Sequence, residues 1–71
     1  MIQMNYGFLK AKIVESCGNQ KNFAEKLGIS VQSLSEKLNN KKPFKHEEIE
    51  KSRVILSLDG VELERCFFIR K

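Results

Sequence analysis

Cys17, Cys66 and His46 are the thiols and the one imidazole of this 71-residue chain. The cysteines are far apart and neither belongs to a Cys-x-x-Cys pair, so ligands for a zinc ribbon or a thioredoxin-type redox site are lacking. Both read as small buried apolar side chains. A single imidazole, on what reads as an exposed first helical turn, does not build a Ser-His-Asp or Cys-His nucleophile. Gly7, Gly18, Gly28 and Gly60 are isolated and form no loop that would cradle a phosphate. The sequence therefore predicts a protein that is no enzyme and needs neither metal nor cofactor.

Charge points to a different chemistry. Thirteen Lys and Arg against nine Asp and Glu give +4, with a pI near 9.3. Residues 37–45 hold Lys37, Lys41, Lys42 and Lys45 and no acid, a local excess equal to that of the whole chain. Positive charge gathered in one short stretch suits an edge facing a polyanion, although lysine clusters also occur as plain solvated surface.

Positioning such groups falls to a small fold. A 41% apolar and 31% charged composition is that of a globular chain, and this length fits a single domain spanning 1–71. The uncharged run Val54–Leu58 is far short of the ~20 residues that span a bilayer. No basic-then-apolar leader opens the sequence, so it reads as cytoplasmic.

Period-two alternation is absent, and Gly, Asn or Pro punctuates segments of helical length. Tyr6, Leu9, Ile13 and Cys17 make one apolar stripe, with Asn5 as a cap and Gly18 as a stop. Asn19 caps a second, short helix that buries Phe23, Ala24 and Leu27 and ends at Gly28. Ser30 caps a third over Val31–Leu38. There Leu34 and Leu38 face inward, while Gln32, Ser33, Ser35 and Glu36 face outward. Asn39 and Asn40 terminate it, and Pro43 disfavours a helical Lys42. A fourth helix runs from about His46 to Leu56, with Ile49, Ser52, Arg53 and Leu56 along one edge and Glu47 and Glu48 at the positive end of its dipole. Asp59 to Glu62 form a capping box for a fifth helix, whose Leu63 and Cys66 lead into Phe67, Phe68 and Ile69. The expected fold class is all-α, a compact bundle of about five short helices.

Residues 20–38 carry the functional signal. Two short helices joined by a glycine-containing turn are what a DNA-reading helix-turn-helix requires. Gln20 opens the unit, and Ala24 is small enough to admit the second helix. Gly28 supplies a positive φ, Ile29 fills the space between the helices, and Leu34 anchors the second one. The same spacings also suit an ordinary helical hairpin. The polar outer face and the lysines beyond it are what favour DNA.

The stretch Gln20 to Ser30, continued by Ser33 to Asn39, resembles the helix-turn-helix of the phage Cro/repressor, lambda-repressor-like family. Tyr6 to Ile13, Lys42 to Phe44 and Glu48-Ile49 look like further segments of small phage and prophage Cro-like proteins. The resemblance covers most of residues 5–68 and weakens after Glu50, where Ser52 and Arg53 stand at positions expected to be apolar. It implies a transcriptional regulator that occupies a double-stranded DNA operator.

A recognition helix meets base edges with its N-terminal residues. Gln32 suits a bidentate pair with adenine, Ser33 can bond either base type, and Val31 can pack on a thymine methyl. Similarity adds Glu36 and often Asn39. Glu36 either accepts from cytosine N4 or repels phosphates and rejects wrong sites. Gln20, Asn39, Lys41 and Lys42, with Lys45 in reserve, are the candidates for contacting the DNA backbone, and Ser35 lies close enough to the face to touch DNA. One module buries only about 600–1,000 Å² on DNA, and relatives dimerise. Val61 to Ile69 is the candidate dimer surface, with one of Phe67 and Phe68 in the monomer core and the other facing the partner. An antitoxin-type module and a helical protein–protein adaptor with an acidic partner are the rival readings.

Overall fold

Local capping chemistry sets most helix boundaries in the computed structural model, which describes residues 3–69. Five helices follow one another: α1 (Gly7–Cys17), α2 (Gln20–Leu27), α3 (Val31–Leu38), α4 (His46–Ile55) and α5 (Gly60–Phe67). Before α2, the Asn19 side chain accepts the Asn22 N–H at 2.8 Å; before α3, the Ser30 hydroxyl accepts the Ser33 N–H at 3.1 Å. Asp59 and Glu62 form the expected box at α5, each side chain accepting the other's backbone N–H. Each such cap is worth about 1 kcal/mol to its helix.

Two boundaries differ from expectation. Tyr6, not Asn5, is the N-cap of α1, because Asn5 sits one residue earlier and its side chain accepts the Gly7 N–H at 2.9 Å. α4 stops at Ile55, with Leu56 as its C-cap and Ser57 turning left-handed at φ 53°.

The core lies where α1 packs on α2 and α5, and α2 on α3 and α4. Leu9, Ile13, Phe23, Leu34 and Cys66 are sealed from solvent, with Leu27, Leu38, Leu56, Leu58 and Phe67 around them. Ile29 packs against this cluster from between α2 and α3. Ser52 is fully buried at an expected apolar position, and its hydroxyl is satisfied by the Glu48 carbonyl at 2.7 Å. Arg53, expected along the same edge, points to solvent, since it follows Ser52 by only about 100° of helical turn. Cys17 is half-buried and Cys66 buried. Burial pushes the Cys66 thiol up to about 11, with Glu62 adding to the rise, which keeps it protonated. Among the described residues no helix is long and apolar enough to cross a membrane.

Candidate nucleic-acid interface

The turn between α2 and α3 depends on Gly28. Its φ of 82° and ψ of 25° lie in the left-handed region, and its N–H closes α2 onto the Ala24 and Glu25 carbonyls. Ile29 donates to the Ala24 carbonyl at 3.0 Å, so the chain leaves α2 tightly and enters α3 two residues later. Residues with a Cβ adopt this backbone only at a cost, which makes the glycine a requirement of the turn.

That turn presents the start of α3 outward. Val31 (48% exposed) and Gln32 point to solvent, while Ser33 is half-buried behind them. Four Cα positions further along, the end of α3 carries a second group of site residues, and these touch one another. The Glu36 carboxylate lies 3.2 Å from the Lys42 ammonium. Asn39 donates through Nδ2 to the Ser35 carbonyl at 2.9 Å, and the Lys41 N–H donates to the Glu36 carbonyl at 2.8 Å. Residues 39–42 therefore fold back over the last turn of α3, where the Lys42 side chain and the Lys41 backbone meet Glu36 and Asn39 bonds Ser35. Gln20 is half-buried at the start of α2 and joins none of these bonds among the described residues.

The basic stretch is not uniformly basic in space. Lys37 is buried, not exposed, and its ammonium bonds the buried Glu48 carboxylate of α4. Its position explains this: it shares the inward face of α3 with Leu34 and Leu38. Burial alone would raise the Glu48 carboxyl, but the Lys37 ammonium and the Lys45 N–H outweigh it and hold it below the ordinary range. With Lys37 taken by Glu48 and Lys42 by Glu36, Lys41 and Lys45 are the lysines of the stretch with no ion pair among the described residues. His46 opens α4 on the exposed side.

Two anchors hold the loop from Asn39 to Lys45, and sequence reasoning found neither. Asn40 turns left-handed at φ 63°, and its side chain bonds Met4 twice: it accepts the N–H at 2.7 Å and donates to the carbonyl at 3.0 Å. Phe44 stacks edge-on between Tyr6 and Phe67, with centroids 5.3 and 5.1 Å away. An Asn-Asn pair after a helix signals a left-handed residue, but its partner 36 positions earlier is invisible to local pattern. Beside this loop lies an open pocket of about 470 Å³, lined by Met4, Tyr6, Phe44, Ile49, Phe67 and Phe68 together with Asn40, Lys41, Lys42 and Pro43.

In the candidate dimer segment the two phenylalanines differ in burial, and one of them lies in the core as expected. Phe67 is 4% exposed and part of the core; Phe68 is 56% exposed, with Val61 and Ile69 also open to solvent.

Residues 2–70 match the profile of a family described as "Protein of unknown function (DUF739)". No curated protein matches. Among solved structures, the chain is similar to the modulator of repression (MOR) of the temperate bacteriophage TP901-1 from Lactococcus lactis. The two share 39% identity and a TM-score of 0.78, over 93% of this chain and 89% of that one. That neighbour is a phage protein, in line with the phage side of the resemblance read from the motif.

Proposed function

This chain belongs to the DUF739 family, and we propose that it is a phage regulator of repression that binds duplex DNA by sequence through α3. The observation that carries the reading is the presentation of α3. A left-handed Gly28 and a Ser30 cap hold the helix so that Val31 and Gln32 project into solvent at its N-terminal end. That is the end a recognition helix directs at base edges. Val31, Gln32, Ser33 and Glu36 contact bases. Gln20, Asn39, Lys41 and Lys42 contact phosphates and fix the register. The similarity to a phage modulator of repression supports a regulatory and non-enzymatic role. A homodimer formed through Val61 to Ile69 places two such helices on two half-sites.

Selection of bound sequences from a random duplex pool, followed by titration of the winner and of random DNA across salt, tests this. Gln32→Ala should lose about 1–3 kcal/mol on the selected site and little on random DNA. Equal loss on both removes the base-reading role. A selection that enriches nothing removes sequence-dependent binding altogether.

A second reading is favoured by the pocket beside the 39–45 loop. Its walls are largely apolar and aromatic, and Lys41 and Lys42 are part of its lining. Such a site suits an apolar anchor flanked by acids, which would make the chain a protein-binding adaptor that modulates repression through a partner. Binding that is unaffected by competitor DNA and abolished by Phe68→Ser would favour it over the DNA reading.

A further inference from the structure

The backbone, and not charge alone, holds Glu36 and Lys42 together. The Lys41 N–H bond to the Glu36 carbonyl curls the loop, and the Asn39 bond to Ser35 closes it. Asn40 then pins the far side of the curl to Met4. On this fixed frame Lys42 is open to solvent at 54%, while Glu36 is half-buried at 31%. A surface ion pair on a rigid frame is weak and exchangeable.

On DNA the two partners want different things. A phosphate oxygen competes with Glu36 for the Lys42 ammonium. Once Lys42 leaves, the Glu36 carboxylate stands against a polyanion with no partner, unless it finds a donor. In the major groove the cytosine N4 amino group is such a donor.

We propose that Glu36 determines specificity by acting through Lys42: it retains the lysine on duplexes that offer no cytosine amino group within its reach, and releases it to a phosphate on those that do. The inference rests on the DNA reading above and adds to it a coupling between one base-reading residue and one phosphate-binding residue. Wrong sites then lose a base contact and a backbone contact together. Simple repulsion between Glu36 and phosphates would also penalise wrong sites, but it would not need Lys42. That difference makes the idea testable.

The experiment is a double-mutant cycle with wild type, Glu36→Gln, Lys42→Gln and the double variant, each titrated on the selected operator and on random duplex at several salt concentrations. Circular dichroism melts check that all four are folded, as expected for two side chains that lie outside the core. Glu36→Gln should strengthen random-duplex binding roughly three- to tenfold and steepen its log–log salt slope by about one unit per module, the signature of one added phosphate contact. Operator binding should gain far less, so the specificity ratio falls. In the Lys42→Gln background, Glu36→Gln should change neither random affinity nor slope.

If Glu36→Gln strengthens random binding equally without Lys42, the effect is plain repulsion and the coupling is overturned. An unchanged slope in Glu36→Gln, while wild type binds DNA in a salt-dependent way, overturns it as well. Wild type that binds no duplex at any salt concentration overturns the DNA reading, and the coupling falls with it.

Discussion

Lys37 on α3 and Glu48 on α4 form a buried ion pair, and the carboxylate oxygen that takes the Lys37 ammonium also accepts the Lys45 N–H at 2.8 Å. One oxygen thus joins the inner face of α3, the start of α4 and the end of the loop between them. The two side chains are only 6% and 10% exposed, and the Phe44 ring lies 5.9 Å from the ammonium. Desolvating both charges is expensive, so the pair adds little net stability while making either charge alone intolerable. Its structural effect is to tie the inner face of α3 and the end of the loop to the start of α4.

Removing one partner should expose this asymmetry. Glu48→Ala leaves a buried ammonium without a counter-charge and should cost about 3–5 kcal/mol. Replacing both, as Lys37→Met with Glu48→Met, should recover most of that loss, because two flexible apolar side chains fill the space without desolvation. Urea unfolding of the three proteins decides it. A loss below about 1 kcal/mol for Glu48→Ala would mean that the Lys37 ammonium reaches water and the pair does not tie the helices.

The same pair predicts an acid-sensitive fold. Glu48 is held below its ordinary value of 4.5, so the folded chain gives up this proton more readily than the unfolded one. The stabilisation is complete above that ordinary value and is lost as the pH falls through the lowered one. Glu62, paired at the surface with Lys12 at 2.9 Å, is lowered in the same sense. Salt screens the surface pair but hardly the buried one. Urea midpoints measured from neutral pH downward, at high salt, should therefore still fall for wild type. They should flatten in the Lys37→Met, Glu48→Met double variant, and an identical acid limb in both would assign the effect elsewhere.

Wherever structure follows from neighbours within four residues, the sequence is legible. Asn19, Ser30 and Asp59 cap the helices they were expected to cap, since a side-chain oxygen meeting an N–H three residues on is local chemistry. What escapes are the polar contacts made beyond helical neighbours: Lys37 with Glu48, Lys42 with Glu36, Asn40 with Met4. The lysine run of residues 37–45 looked like one basic edge because one-dimensional charge counting cannot see the acids brought in from α3 and α4. A signal for Lys37 was present in its spacing. It lies three residues after Leu34 and one before Leu38, on a face otherwise closed to solvent, where a charge needs a partner.

The α2–α3 turn gives a prediction free of any DNA contact. A Cβ built on Gly28 meets nothing within 4 Å, so a substitution there is opposed by backbone strain alone. Gly28→Val should cost about 1–3 kcal/mol. Gly28→Asn should cost less, because Asn tolerates the left-handed region. Gly60, equally open but without a positive φ, is the control: Gly60→Ala should leave the melting temperature unchanged or raise it. Equal behaviour at the two glycines would contradict the turn.

The adjacent phenylalanines separate folding from association. Phe67 is buried and its ring meets Phe44 at 5.1 Å, whereas Phe68 is 56% exposed beside the open Ile69. An aromatic ring left this open gains little in the monomer, but buried against a second copy it contributes the apolar area a small interface needs. Phe67→Ser should therefore lose about 3–5 kcal/mol of folding stability, as truncation of a core phenylalanine does. Phe68→Ser should melt close to wild type yet shift sedimentation towards the monomer at concentrations where wild type associates. On a two-half-site operator it should also weaken binding more than on a single half-site, since one dimer contact is lost and no DNA contact is touched. If Phe68→Ser sediments as wild type does, the dimer surface is not Val61 to Ile69. If it lowers the melting temperature as far as Phe67→Ser, the exposed Phe68 ring stabilises the monomer itself and is not kept open for a partner.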